Sequence, residues 1–266
     1  MNDTTARTCP IPVDGDGIPT PEGFARAYLE LPALPDAFRT PQIAEKMTVI
    51  ARALLINNRK FNLTAIRQPE EVLSKHILDS LLAAREIARL CEQGLIPAAP
   101  RLLDVGSGAG FPSLPVAAAL PECRVIAMDA TAKKCRHISE TASAAGITTL
   151  SAVSGRAEDL AFRDGYRAAF DVVTARAVAA LPVLAELCVP FLRTGGIFLS
   201  MKGQSGPREA REAARALSLL GAEEAGCITY TVPGDDAPRY LLLFRKVRPT
   251  PPAYPRPYAQ ILKRPL

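Results

Sequence analysis

The chain has 266 residues, 48% of them hydrophobic and 22% charged, with 32 Lys and Arg against 27 Asp and Glu and a formal net charge of +5. This globular balance excludes wholesale disorder, collagen-like sequence and coiled coil, and the length admits one full domain with an appendage or two small domains. Six cysteines without a CxxC pair and only two histidines (His76 and His137) argue against a zinc site, a redox dithiol or a disulfide scaffold.

The opening Met1 to Gly17 lacks the basic start and apolar stretch of a signal peptide, and the longest uncharged run, Val105 to Pro121, is broken by glycine and proline. A cytoplasmic protein with no membrane partner and no metal is the expectation. Residues 1–41 hold seven prolines and little periodic hydrophobicity, so they are expected to form a mobile extension. From Pro41, Ile43, Met47, Ile50 and Leu54 recur at helical spacing, and Pro69 opens a second such run through Leu73, Ile77, Leu81, Ala84 and Ala88. Residues 42–99 are therefore an N-terminal helical segment, ended by a break at Gly94 to Pro100.

After Pro100, short apolar runs alternate with helical stretches. Leu102–Val105, Val125–Met128, Thr149–Val153, Phe170–Ala175 and Gly196–Met201 are predicted strands of a parallel sheet, with Ala132–Ala145 and Leu181–Leu192 among the intervening helices. Cys227–Val232 and Tyr240–Val247, joined by Pro-Gly-Asp-Asp, are predicted to form an antiparallel hairpin. The main domain spans 100–248, and 249–266 form a tail. From Ala237 onward seven cations face no acid, whereas residues 1–236 hold 25 cations and 27 acids. A near-neutral body with a basic end fits a polyanionic partner.

The chemistry concentrates at Asp104-Val105-Gly106-Ser107-Gly108-Ala109-Gly110-Phe111-Pro112, where the first strand turns toward the first helix of the domain. Alternating glycines let the backbone bend sharply and approach a ligand closely. The dinucleotide fingerprint would need Gly at 111, where Phe stands, and the Gly-Lys-Ser/Thr of a phosphate-gripping loop is absent. No Lys or Arg occurs from 104 to 121. Acids surround the loop instead: Asp104, Asp129 about 20 residues on, where a carboxylate meets a ribose, and Glu158 after the third strand. An adenosine bearing a cation and no phosphate fits best, and S-adenosylmethionine has those properties.

Asn62-Leu63-Thr64-Ala65-Ile66, His76-Ile77-Leu78-Asp79-Ser80, the glycine loop, Thr174-Ala175-Arg176-Ala177 and Met201-Lys202-Gly203 together resemble the RsmG (GidB) family of bacterial small-subunit ribosomal RNA methyltransferases. The resemblance runs over about residues 43–266. It implies a Rossmann-like class I methyltransferase, with a mostly parallel sheet, a C-terminal hairpin and preceding N-terminal helices. The implied reaction moves a methyl group from S-adenosylmethionine to N7 of a guanine in the 530 loop of 16S rRNA, on naked RNA or the 30S subunit. Carried over, Gly106 and Phe111 shape the methionine end, Gly108 is a further cofactor-binding residue of the loop, Asp129, Ala130 and Thr131 take the ribose, Ala157 and Glu158 border the adenine, and Arg176 lies beside the cofactor.

Guanine N7 carries a free lone pair, so no general base is required. A-form RNA buries that atom in a deep groove, which makes an unpaired or flipped nucleotide the expected substrate. Arg176 and Lys202, at predicted carboxyl ends of parallel strands, are candidates for positioning the RNA; a salt bridge to a local acid is the other reading of each. The four cations from Arg248 on, with Tyr254 and Tyr258 to stack on bases, are expected to hold phosphates and to be removable without unfolding. Two other functions remain open on the residues alone: a methyltransferase acting on a protein or small molecule, and an RNA-binding assembly module without catalysis.

Overall fold

The computed structural model describes residues 10–266. Its first helix, α1 (Pro21–Leu29), starts at Thr20, whose hydroxyl accepts from the Gly23 N–H, and a 3-10 turn at Asp36–Phe38 leads into α2 (Pro41–Phe61), capped likewise by Thr40. The expected mobile extension over 1–41 is thus corrected for residues 10–41, while residues 1–9 lie outside the described part. Phe24 and Tyr28 are wholly buried, Leu31, Leu34 and Phe38 nearly so, and the Tyr28 hydroxyl donates to the Phe38 carbonyl at 2.8 Å. Pro21 and Pro41 open helices at the position where a missing N–H costs nothing. The proline count therefore concealed the helical spacing of Phe24, Tyr28 and Leu31.

A short helix α3 (Pro69–Glu71) runs through a π-helical stretch, Val72–Leu78, into α4 (Asp79–Glu92). The sheet and its helices then follow as β1 (Arg101–Val105), α5 (Ser113–Ala119), β2 (Arg124–Asp129), α6 (Ala132–Ala144), β3 (Leu150–Ser154), α7 (Ala157–Leu160), β4 (Phe170–Arg176), α8 (Leu181–Cys188), β5 (Leu192–Lys202), α9 (Gly206–Leu220), β6 (Ala222–Val232), β7 (Asp235–Lys246) and α10 (Tyr258–Lys263). The strand order is β3-β2-β1-β4-β5-β7-β6, parallel through β5 and antiparallel at β7 and β6. This is the Rossmann-like α/β architecture of class I methyltransferases. β6 starts five residues before its predicted start, and α9 had no sequence expectation.

Alternation along the strands divides the core into two layers. Leu102, Val172, Ile197, Leu199 and Leu243 face the layer built by α1, α2, α4, α5 and α6, whereas Leu103, Val173, Phe198 and Phe244 face α8, α9 and α10. The N-terminal helices are consequently one wall of the sheet. The order in which successive strands are added switches sides between β1 and β4, which opens a crevice at the carboxyl ends of these parallel strands.

The expected free basic tail is also corrected. Arg256 donates to both carboxylate oxygens of Glu186, which is fully buried on α8, and Ile261 of α10 is fully buried. Arg167 donates to the carbonyls of Thr250, Pro251 and Tyr254. Lys246, 2% exposed, donates to the Leu220 carbonyl at 2.8 Å, and Arg248 to the Ser218 carbonyl. A count of charge along the chain misses these partners because they lie 26 to 87 residues away in sequence.

Candidate functional site

The glycine loop leaves β1 at Gly106, whose N–H and that of Ser107 both donate to the Met128 carbonyl at 2.8 and 2.9 Å, tying the loop to the end of β2. Gly106 has φ +72°, and a Cβ there would come within 2.5 Å of Val178 Cγ2. Only glycine meets both conditions. Gly108 has φ +59° and donates its N–H to Asp129 Oδ2 at 3.0 Å, while Asp129 Oδ1 accepts from the Thr131 N–H at 2.8 Å. Behind the loop Asp104 is 1% exposed; its Oδ1 accepts from the Thr174 hydroxyl at 2.9 Å and its Oδ2 has no partner. Burial raises its pKa, partly offset by the hydroxyls around it and by Arg176.

In front of the loop lies a cavity of about 330 Å³. Gly106, Gly108, Phe111, Asp129 and Arg176, five of the expected cofactor residues, line it together with Thr64 and His76. Ala130, Thr131, Ala157 and Glu158 are outside this lining: the first two lead into α6, and the other two open α7. The Gly155 N–H donates to the Asp129 carbonyl at 3.1 Å, so the turn before α7 adjoins the end of β2. The donor set fits S-adenosylmethionine: a ribose-type carboxylate on β2, a closely approachable glycine backbone, and a buried carboxylate with an unpaired oxygen.

His76 forms part of the wall of this cavity. The π-helical stretch presents its ring stacked on Phe111, with centroids 4.7 Å apart and planes inclined by 17°. Arg176 Nη2 lies 2.9 Å from His76 Nδ1, and His76 Nε2 lies 3.0 Å from the Thr64 hydroxyl oxygen. A guanidinium only donates, so Nδ1 is the acceptor and Nε2 bears the proton. Burial, with Arg176 and Arg239 beside it, lowers the His76 pKa to about 3. Its lone pair is committed and it cannot serve as a base.

Arg176 stands between this cavity and a second one of about 570 Å³, which shares His76, Arg176, Ala177 and Val178 and extends to Lys75, Met201, Lys202, Tyr230 and Arg239. Ala177, at the shared wall, has φ +55°, a conformation that costs an L-residue energy and gathers at functional sites. Arg176 Nη1 donates to Asp79 Oδ2 and to the Lys75 carbonyl, each at 3.0 Å. Asp79 Oδ1 accepts from the Tyr230 hydroxyl at 2.8 Å and from Arg239 Nη1 at 3.2 Å. Lys202 donates to the Ala179 carbonyl at 2.6 Å and pairs with Glu209 at 2.8 Å. For both candidate positioning residues the ion-pair reading therefore holds, and both still face the second cavity. Asp79, Tyr230 and Arg239 were not expected at the site, because nothing in the sequence announces that the hairpin folds back onto α4.

Comparison with known proteins agrees with this geometry. The family model described as rRNA small subunit methyltransferase G (GidB) matches residues 43–231. A relative from Desulfitobacterium hafniense, named ribosomal RNA small subunit methyltransferase G, is 40% identical over 222 residues, which cover 84% of this chain and 89% of that protein. A relative of the same name from Geobacillus kaustophilus is 41% identical over 199 residues, 75% of this chain and 81% of that one. Among solved structures, the O-methyltransferase TomG from Streptomyces achromogenes, in complex with SAM, superposes with a TM-score of 0.51 at 19% identity, covering 77% of this chain and 90% of its own. At that identity the likeness concerns the fold.

Proposed function

The chain belongs to the rRNA small subunit methyltransferase G family, and we propose on that premise that it methylates N7 of a guanine in the 530 loop of 16S rRNA, using S-adenosylmethionine. The observation that carries the reading is the pair of adjoining cavities with Arg176, Ala177 and Val178 as their common wall. One holds the glycine loop and Asp129. The other is lined by Lys75, Arg176, Lys202 and Arg239 against only two acids, Asp79 and Glu209, and suits a nucleotide.

The glycine loop and Asp129 hold the cofactor, with Ala130, Thr131, Ala157 and Glu158 along the adjoining rim. When bound, S-adenosylmethionine supplies a methyl group activated by its sulfonium. The acceptor nitrogen needs no deprotonation, and His76 at the junction is neutral with its lone pair bound by Arg176. Positive charge accumulates on the guanine as the methyl arrives. Asp79 neutralises Arg176, so the charged wall does not oppose that development. The chain contributes orientation, which converts encounter into an aligned displacement.

Incubating the purified protein with labelled S-adenosylmethionine and either 30S subunits or naked 16S rRNA, followed by mapping of N7-methylguanosine, tests the reading. A single labelled guanine in the 530 loop is expected in at least one arm. Label on another atom or another RNA region, or none in both arms, would overturn it.

A further inference from the structure

We propose that the substrate RNA docks on a cationic surface formed by the end of α2, the loop after it and the first turn of α6, and that one of its unpaired bases stacks on Phe61. The proposal rests on the reading of the protein as an RNA methyltransferase and assigns the surface that grips the RNA around the reacting nucleotide. With the C-terminal cations largely engaged internally, the polyanion site has to be sought elsewhere on the molecule.

Residues 46–69 contain five cations and no acid. Arg59, Lys60 and Phe61 form the exposed last turn of α2, and Arg67 follows in the exposed loop. Arg59 and Arg67 share the lining of one small cavity, which places them side by side. Lys133 Nζ sits 3.8 Å from the centre of the Phe61 ring, so α6 brings its own cations against this turn. Arg136 lies one turn further on the same face of α6. Among the described residues Arg59, Lys60, Arg67, Lys133 and Arg136 make no ion pair, unlike Lys134, which stands 3.7 Å from Asp129.

Cations at the end of α2 have a simple reason, since a helix C-terminus carries partial negative charge. The same effect works against Lys133, Lys134 and Arg136. They occupy the first turns of α6, where the helix end is positive and acids are favoured. A cluster of like charges placed against the local field, beside an aromatic ring 39% exposed, matches what a single-stranded nucleic acid requires: cations for phosphates and a flat face for a base. The surface also adjoins the chemistry. Leu63 and Thr64 of the loop and Lys134 of α6 line the cofactor cavity. RNA held on Phe61 and Lys133 therefore lies beside the cofactor cavity.

The test measures binding of a single-stranded RNA containing the 530 loop sequence to the full-length protein across about 50 to 200 mM salt. The proteins compared are wild type, the triple variant Lys60→Gln/Lys133→Gln/Arg136→Gln, Phe61→Ala, and the tail variant Lys263→Gln/Arg264→Gln. Calorimetric binding of S-adenosylmethionine serves as the folding control. At about 0.7 per phosphate contact, the triple variant should lower the log–log salt slope by about 2, and the tail variant should leave it unchanged. Phe61→Ala should weaken binding about tenfold at every salt with the slope intact. An unchanged slope in the triple variant with S-adenosylmethionine still bound overturns the docking surface, as does tight retention of the wild type by anionic phospholipid vesicles but not by RNA. Wild-type methylation of 30S subunits, run in parallel, reads the function separately: its absence would sink the enzymatic reading while the slopes still judge the surface.

Discussion

Arg176 Nη1 and Asp79 Oδ2 lie 3.0 Å apart, with the Asp79 side chain 2% and the Arg176 side chain 15% exposed, and this pair joins β4 to α4 at the boundary of the two cavities. Tyr230 and Arg239 bring the β6–β7 hairpin to the same carboxylate. Asp79 is therefore a positioning residue for the whole acceptor side. Asp79→Ala strands the Arg176 guanidinium, while Arg239 keeps Asp235, and should cost about 3 to 5 kcal/mol of stability, read as a shifted urea midpoint. Arg176→Ala leaves Asp79 two of its donors and should lower methylation at least tenfold more than it lowers S-adenosylmethionine affinity. Equal losses in rate and in donor affinity would make Arg176 a cofactor residue only.

His76 gives a prediction with a definite sign. Its folded pKa of about 3 lies below the ordinary value of 6.5, so between these values the unfolded chain binds a proton that the folded chain refuses. The stabilisation is fully present above pH 6.5 and is lost as pH falls toward 3, by about 1.4 kcal/mol for each pH unit. His76→Gln, which keeps an acceptor for Arg176, should flatten the stability profile in that window by one proton. The methylation rate with bound substrate should stay level from about pH 6.5 to 9 in both proteins. A bell-shaped rate profile in wild type that disappears in the variant would restore His76 as a base.

Much of the fold was legible because strand and helix periods alternate cleanly after Pro100, and the glycine loop identified the cofactor end by its lack of cations and its neighbouring acids. What escaped was long-range. Glu186 and Arg256 are 70 residues apart in sequence, and Asp79 meets Tyr230 across 151 and Arg239 across 160. No local pattern predicts which buried acid a basic residue will find, so a paired tail read as a free one. The acid-free stretch 46–69 is visible as composition, but only the fold brings Lys133 of α6 against it. Residues 10–41 misled for a different reason: proline at a helix start and proline in a mobile segment look alike until the spacing of Phe24, Tyr28 and Leu31 is measured.

The loop geometry sharpens what a glycine substitution should do. Gly106→Val adds a side chain that strikes Val178 and forces φ +72° on a β-branched residue, so S-adenosylmethionine binding should vanish. Since the obstruction is local, Val178→Ala in the same chain should relieve the contact but not the backbone strain, and binding should recover only in part. Asp129→Ala should cost about 1 to 3 kcal/mol of donor affinity through lost charge-assisted hydrogen bonds and through release of the Gly108 N–H it now accepts. Calorimetry measures all three variants. Full affinity in Gly106→Val or in Asp129→Ala would remove the cofactor from this cavity.

The C-terminal segment should behave as a structural strap. Arg256 places its backbone N–H, Nε and Nη2 on the Glu186 carboxylate at 2.8, 2.8 and 2.6 Å, and Glu186 has no exposed surface. Deleting 249–266 strands that carboxylate inside the protein and also removes Ile261 from the core. The loss of the charge partner alone should cost about 3 to 5 kcal/mol, enough to leave a marginal protein unfolded at 37 °C. Arg256→Ala isolates the ion pair, and Ile261→Ala, expected to cost about 2 to 5 kcal/mol, isolates the packing. Urea unfolding of the two single variants, with RNA binding measured below their transitions, separates anchoring from RNA contact. Both midpoints should fall while the salt slope for RNA stays at the wild-type value. A truncated protein that keeps the wild-type midpoint but loses about 2 from its salt slope would return the tail to the RNA.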